Sequence, residues 1–392
     1  MARAKKRIYC DYAAATPIDS RVSRAMRKAE RIYANPSSLH GDGTLARRRI
    51  DAARETVARF LHALPDEIIF TSGGTEGNAI AIFGTCAALP KNLSHYHAVT
   101  TAIEHPSVLE AFRALEEKGL SVTYVGVDES GHVSEKDIKS AIRGNTMLVS
   151  VMHANNEIGT IQPIADIGRL ILKIRKTRGG VYPLFHVDAC QSAALVPVTA
   201  HTFHADLISL SFGKLYGPKG AGALYARRGA PVLPLFAGGS HERGLRPGTE
   251  NLPAIVGAEE VVRITERVRG KEYKRLSDIR EYFLASLAHV LSKNSYQVNG
   301  GGEVVPHIAN VSFVGCDAEE MLFRLDAAGI SVGTKSACQA EDEGLSYVVK
   351  ALGGNHDARS AVRFSFGRAT TRADIPRIVH AVKKSFSIMK DA

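Results

Sequence analysis

The stretch Asp206-Leu207-Ile208-Ser209-Leu210-Ser211-Phe212-Gly213-Lys214-Leu215-Tyr216-Gly217-Pro218-Lys219-Gly220 decides how this chain is read. Its first part is an apolar run of strand length, and a strand is expected over residues 206–210. Lys214 follows closely and leads into a Gly-Pro turn. A lysine held where a buried strand ends is kept from water, which favours its free amine and makes it a candidate Schiff-base nucleophile. Ser211 and Lys214 also have the Ser-x-x-Lys spacing of serine β-lactamases. That signature opens a helix and needs partner motifs that this sequence lacks, so the spacing carries no weight.

Outward from this stretch one rhythm repeats: an apolar run, then glycine or polar residues, then a helical stretch. Residues 67–71, 97–101, 121–125, 146–152, 182–187 and 222–226 read as further strands, and 76–88 as a helix. Strands alternating with helices imply crossover units and a largely parallel sheet covered on both faces, the α/β class. After about residue 260 the texture changes. A charged helical stretch over 259–293 leads to strands near 307–313, 331–333 and 361–366. This part reads as a smaller α+β domain against which the N-terminal residues pack. The expected organisation is a large domain over 18–261 and a small one built from 1–17 and 262–392. No internal repeat or low-complexity segment interrupts it.

In an open parallel sheet, ligands sit beyond the carboxyl ends of the strands, so the residues just after each apolar run are the candidates for chemistry. After residues 67–71 comes Ser72-Gly73-Gly74-Thr75-Glu76-Gly77-Asn78. Glycines let a backbone approach an anion, and a helix start offers free N–H groups. The stretch is neither a dinucleotide fingerprint nor a P-loop, and a plain strand–helix turn accounts for it equally well. Glu104-His105-Pro106 supplies a histidine that is a candidate base, metal ligand or ring-stacking group. His153-Ala154-Asn155-Asn156-Glu157-Ile158-Gly159 places two amides at a strand end. His186-Val187-Asp188-Ala189-Cys190-Gln191-Ser192 places a carboxylate at another, where burial would neutralise it unless it met a cation. A cap or turn residue is the plainer alternative. Each tip alone is weak. An aspartate for a protonated pyridine nitrogen, a lysine for an imine, a glycine turn for a phosphate and a histidine after another strand together meet the needs of pyridoxal 5'-phosphate (PLP).

Composition narrows the class. The 392 residues are 45% apolar and 23% charged, which is globular rather than disordered, and leave room for about two domains. Fifty Lys plus Arg against forty Asp plus Glu give a formal +10, a balance that favours anionic partners without choosing among them. No aromatic-interleaved basic motif or helix-turn-helix signature accompanies that charge, so direct nucleic-acid binding is not expected. The sequence has no apolar run of about 18 residues, and its basic start lacks the apolar core of a signal peptide. A cytoplasmic chain with no membrane partner is expected. The five cysteines, at 10, 86, 190, 316 and 338, are scattered and form no Cys-x-x-Cys, so neither a disulfide framework nor a metal site is indicated. Four of them read as small buried hydrophobes. Cys338 does not. It lies in Gly333-Thr334-Lys335-Ser336-Ala337-Cys338-Gln339-Ala340-Glu341-Asp342-Glu343-Gly344, a polar stretch without apolar periodicity that reads as a mobile exposed loop over about 333–345.

Taken in order, these stretches resemble the cysteine desulfurases of the NifS/IscS type, fold-type-I PLP enzymes of the class-V aminotransferase group. Asp11-Tyr12-Ala13-Ala14-Ala15-Thr16-Pro17, Asn35-Pro36-Ser37-Ser38-Leu39-His40 and Glu242-Arg243-Gly244-Leu245-Arg246-Pro247-Gly248-Thr249 carry the likeness together with the strand-end stretches above and Ser336-Ala337-Cys338, so it runs nearly end to end. The resemblance implies an α/β fold with a mostly parallel seven-stranded sheet between helices in the large domain and a smaller α+β domain. It implies that Lys214 carries the cofactor and shuttles the Cα proton, that Asp188 pairs with the ring nitrogen and that His105 stacks on the ring. Asn156 and Gln191 are implied near the ring hydroxyl, with Gly74, Thr75 and Ser211 at the phosphate. Thr249 resembles the residue that reaches the phosphate from the other subunit, which implies a homodimer. Arg363 matches the arginine that holds the substrate carboxylate, beside Asn156. Cys338 matches the nucleophile that takes sulfur from L-cysteine as a persulfide, leaving L-alanine. An Fe–S scaffold or a tRNA-thiolation enzyme is the implied acceptor, and in a scaffold complex Cys338 is a candidate shared cluster ligand. A thiol with an ordinary pKa of about 8.5 needs activation for this role. Lys335 would assist it, whereas Glu341, Asp342 and Glu343 would oppose it.

The match has gaps. Phe212 and Gly213 stand where the family carries Gly and His before the lysine, so a side-chain contact to the cofactor phosphate is lost or moved. Ala79 replaces a frequent Asn, and the run after Cys338 is more acidic than the usual Ser/Thr-rich one. The rival readings are a selenocysteine lyase or another class-V aminotransferase or lyase on the same fold, and a non-catalytic sulfur-relay or scaffold protein. The intact Lys214 argues against the last.

Overall fold

Where apolar residues run unbroken, the chain forms strands buried on both faces. The computed structural model describes residues 7–334, 345–354 and 356–391. A short β1 (Ile8–Tyr9) stands apart, and the next seven strands form one sheet. They are β2 (Ile68–Thr71), β3 (His97–Thr101), β4 (Ser121–Val125), β5 (Thr146–Met152), β6 (Leu184–Asp188), β7 (Leu207–Ser211) and β8 (Gly222–Ala226). Their spatial order is β2-β8-β7-β6-β5-β3-β4. Strands β3 to β7 pair in parallel, while β8 runs antiparallel to both β7 and β2. Every residue of β3, β5, β6 and β8 is buried, as expected for strands with helices on both sides.

Alternation along the strands divides the core in two. Phe185, Val187, Ile208 and Leu210 pack with Ile50, Val57 and Val261 from the helices Gly41–Phe60 and Leu252–Val290. Leu184, Leu207 and Leu224 point to the other face, against Ile80 and Phe112 of the helices Gly74–Ala87 and Pro106–Glu116. Burial of a large aliphatic or aromatic side chain contributes about 1.5–3 kcal/mol, so this double layer supplies most of the stabilisation around the sheet.

The remaining strands are β9 (Tyr296–Asn299), β10 (Ile308–Phe313), β11 (Ile330–Ser331) and β12 (Ala361–Ser365). Strands β12-β10-β9 form an antiparallel sheet, and β11 pairs in parallel with β1 through Ile8 and Ile330. Phe283, Phe313, Phe364 and Phe366 are fully buried behind them, joined by Ile8 and Cys10 from the start of the chain.

Element ends shift from the sequence expectation by one to three residues in several places, as at Gly74–Ala87 and Ile330–Ser331, and three departures go further or have a local cause. The long helix begins at Leu252 rather than near 259, because Asn251 caps it by accepting the Ala254 N–H at 3.2 Å and Pro253 sits in its first turn. Strand β6 starts at Leu184, after Pro183, which has no N–H to give a ladder. Strand β9 was not expected, and its first three residues are only half-buried. No helix among the described residues is long and apolar enough to cross a membrane.

Candidate active site

The carboxyl ends of β5, β6 and β7 open onto a cavity of about 230 Å³, at the edge where an open parallel sheet places its ligands. Lys214 reaches it from the short turn Phe212–Lys214 that follows β7. The turn is tight: the N–H groups of Leu215 and Gly217 both bond to the Phe212 carbonyl, and a Cβ at Gly217 would lie 2.8 Å from that oxygen. Lys214 Nζ donates to the carbonyls of Ala13 and Ala14, at 2.6 Å each. Burial lowers its pKa and the nearby Arg363 adds to the effect, so more of it is free amine than in an ordinary lysine. At Gly213 a Cβ would meet only ordinary contacts, the nearest at 3.6 Å, so packing does not demand glycine there.

Asp188 ends β6 and is buried. Its Oδ1 accepts the Cys190 N–H at 2.9 Å and its Oδ2 accepts from Asn78 Nδ2 at 2.8 Å. Among the described residues it forms no ion pair. A buried carboxylate held by neutral donors alone retains a strong preference for a cation beside it. His105 caps the helix Pro106–Glu116, its Nδ1 accepting the Ser107 N–H at 3.1 Å, and its ring lines the same cavity. Burial lowers its pKa and Lys214 and Arg363 push the same way, against Asp188.

Gly74 and Thr75 open the helix Gly74–Ala87 at the cavity wall, with Ser211 at the end of β7 beside Gly74. The free N–H groups and dipole of such a helix start suit an anion. A Cβ at Gly74 would lie 2.4 Å from Cys190 Sγ, so glycine is what lets that backbone sit where it does. Gln191 lines the cavity and donates to the Ala13 carbonyl at 2.9 Å. Arg363 arrives from β12 of the other sheet. Its guanidinium donates to the Asn156 carbonyl and to Asp11 Oδ1, both at 2.8 Å, and its Nε has no partner among the described residues. Asn156 is buried and lines the cavity beside it.

Two expected residues are not in this group. Thr249 is exposed and does not line the cavity of its own chain. Cys338 lies outside the described residues, within 335–344. Three residues that the sequence reading passed over do belong. Cys190, a small core hydrophobe by its sequence setting, lines the cavity, and burial beside Asp188 pushes its thiol well above the usual range. It therefore stays a protonated thiol and a poor nucleophile. Asn78 and Ser107 also line the cavity. Asn78 is one helical turn after Gly74, which places both on one helix face, whereas nothing local marks Ser107. Cys10, Cys86 and Cys316 are buried as expected.

The residues present fit PLP: a desolvated lysine, an unpaired buried carboxylate, a neutral imidazole and a helix start share one cavity of suitable chemistry. The Aminotransferase class-V family model matches residues 8–378. The chain belongs to the class-V aminotransferase family, with the cysteine desulfurases. It is 41% identical over 374 residues to the putative cysteine desulfurase IscS 1 of Bacillus subtilis, covering 94% of this chain and 96% of that protein. The cysteine desulfurase IscS of Dictyoglomus turgidum is 39% identical over 95% of this chain and 92% of its own length. Among solved structures, a NifS-like protein superposes with a TM-score of 0.89 at 33% identity, over 97% of this chain and all of that one. The structure titled SspA in complex with cysteine gives 0.78 at 33% identity, over 92% of this chain and 98% of its own. The family is PLP-dependent and the fold is that of fold type I.

Proposed function

We propose that this chain converts L-cysteine to L-alanine and takes the sulfur as a persulfide on Cys338 for delivery to an acceptor. The observation that carries the proposal is the meeting of Lys214 and Asp188 at the ends of adjacent strands in one cavity, with Arg363 brought in from the second sheet. PLP, when bound, supplies the electron sink that makes the substrate Cα acidic and its sulfur open to attack. Asp188 would hold the proton on the cofactor's ring nitrogen. Lys214, with its lowered pKa, is suited to take and return the Cα proton at Nζ. Arg363, fixed by Asp11 and the Asn156 carbonyl, has a planar face to offer the substrate carboxylate. Gly74, Thr75 and Ser211 would hold the cofactor's phosphate, and Gln191 and Asn156 would lie near its ring hydroxyl. The Cys338 thiolate forms a bond to the substrate sulfur as the carbon–sulfur bond breaks; the electron pair stays with carbon and leaves, protonated, in alanine.

The described residues on either side of Cys338 support its part. Gly333 exchanges backbone hydrogen bonds with Arg363, at 3.1 and 2.6 Å, and the Ser346 hydroxyl donates to Glu157 at 2.6 Å, next to Asn156. The proposal extends to a large domain over 18–261, a small one over 1–17 and 262–392, and a homodimer in which the exposed Thr249 completes the other subunit's phosphate site. An Fe–S scaffold or a tRNA-thiolation enzyme is the proposed class of acceptor. The test is reconstitution with PLP, borohydride reduction and peptide mapping, followed by assay of L-cysteine turnover. A cofactor label on Lys214, alanine formation, and a persulfide lost in Cys338→Ala with the absorbance spectrum kept are expected. A coloured protein whose turnover is indifferent to Cys338→Ala would point to another class-V reaction. A protein that takes up no PLP would overturn the proposal.

A further inference from the structure

The hydrogen bonds around His105 form a chain whose direction is fixed by counting protons. Asn78 is buried, and its Nδ2 lies 2.8 Å from Asp188 Oδ2 and 2.9 Å from Ser107 Oγ. Reversing the amide would set its oxygen against the Asp188 carboxylate, so both N–H groups of Asn78 donate, one to each neighbour. Ser107 Oγ thus accepts from Asn78 and has a single proton of its own, which goes to His105 Nδ1 at 2.8 Å. The Ser107 backbone N–H points at the same nitrogen, 3.1 Å away. Two donors converge on Nδ1, so Nδ1 carries the lone pair, and the proton of the neutral ring is on Nε2. Nε2 has no hydrogen-bond partner among the described residues, and the ring lines the cavity.

We propose that Asn78 and Ser107 are positioning residues that tie Asp188 to His105 in one hydrogen-bonded relay and hold His105 as the Nε2–H tautomer, so that it offers the cavity a donor and not an acceptor. This assignment rests on the reading of the cavity as a PLP site, but the relay itself is built from this chain's own atoms. The charged groups acting on His105 are Asp188, which favours its protonation, and Lys214 and Arg363, which oppose it along with burial. The relay adds to the second group, because a donor on Nδ1 stabilises only the neutral ring. It also couples the two ends: Asn78 never touches His105, yet losing it frees the Ser107 hydroxyl and removes a donor from Asp188.

The test is long-range 1H–15N NMR of histidine-labelled full-length protein, with and without PLP, His105 being assigned with His105→Gln. The wild type is expected to carry the His105 proton on Nε2 throughout neutral pH. Ser107→Ala and Asn78→Ala are each expected to raise the protonation midpoint of His105 by roughly 0.5–1 pH unit, the worth of one neutral hydrogen bond, and Ser107→Thr to restore it. A wild-type proton on Nδ1 would overturn the proposal. So would a His105 midpoint that Asn78→Ala leaves in place. Should Asn78→Ala not fold, the Ser107→Ala and Ser107→Thr pair decides, an equal midpoint in both being the contrary result. The measurement on cofactor-free protein does not depend on the proposed reaction, so relay and reaction fail separately.

Discussion

Asp188 and Asp206 sit at opposite ends of neighbouring strands and are both buried, yet they are held in opposite ways. Asp206, just before β7, takes Arg175 and Arg227 as ion-pair partners and also accepts the Phe185 N–H at 2.7 Å. Its charge is spent within the protein. Asp188, at the far end of β6, meets neutral groups and no ion-pair partner among the described residues: the Asn78 amide, the Cys190 N–H and the Cys190 thiol. The same carboxylate is a fastener at one end of the sheet and an unspent charge at the other. Burial alone therefore does not mark a candidate functional acid; of these two, it is the one without an internal ion pair that opens onto the cavity.

The largest effects should separate these two ends. Asp188→Asn, like Lys214→Ala, is expected to cut alanine formation by about 10²–10⁴-fold, with little change in the urea midpoint. Asp206→Asn should do the reverse. It leaves two guanidinium groups facing a neutral amide and should lower stability by about 3 kcal/mol, with turnover of the folded protein kept. Equal loss of stability in both variants would erase the distinction.

Histidines repeat the contrast. His186 lies within the sheet with Nδ1 2.8 Å from the Ser150 hydroxyl and Nε2 3.0 Å from that of Ser209, both nitrogens engaged, whereas His105 leaves one to the cavity. Burial pushes His97, His153 and His186 down to about 4 and His307 to about 3. The unfolded chain binds protons at these sites below about pH 6.5 while the folded one does not. Their contribution is fully present above that pH and is lost as pH falls toward 4. Urea midpoints should therefore decline steadily from pH 7 to 4.5, and a flat profile would count against the neutral, buried assignment. The smallest effect is local to the cavity wall. Gly74→Ala should cost about 1–3 kcal/mol through the Cys190 contact and weaken PLP binding, and Cys190→Ala should relieve both. An uncoupled pair in that double-mutant cycle would mean that the backbone there yields.

Much of this was legible in the chain because the sheet is buried on both sides. Residues 97–101, 146–152 and 222–226 are mostly apolar or β-branched and are the buried strands β3, β5 and β8, while 121–125 is the half-exposed edge strand β4, marked by Val122, Thr123, Tyr124 and Val125. Lys214, Asp188 and His105 were visible because each follows such a run. What stayed hidden depends on contacts between distant residues. Asn78 meets Asp188 across 110 positions, and the place of Cys190 depends on how closely the helix start at Gly74 approaches β6 and β7. Strand β9 is hidden for a simpler reason: Tyr296–Asn299 alternates apolar and polar residues over four positions only, the shortest run that such a pattern can mark.

The central claim is that the unspent charge at Asp188 serves a reaction that moves sulfur from L-cysteine to Cys338. A single-turnover experiment with PLP-loaded protein and labelled L-cysteine, quantifying alanine and protein-bound sulfur together, tests it most directly. Alanine and persulfide in equal amounts, with the sulfur mapped to Cys338, are expected. Alanine without protein-bound sulfur, or sulfur mapped to Cys190, would contradict the account.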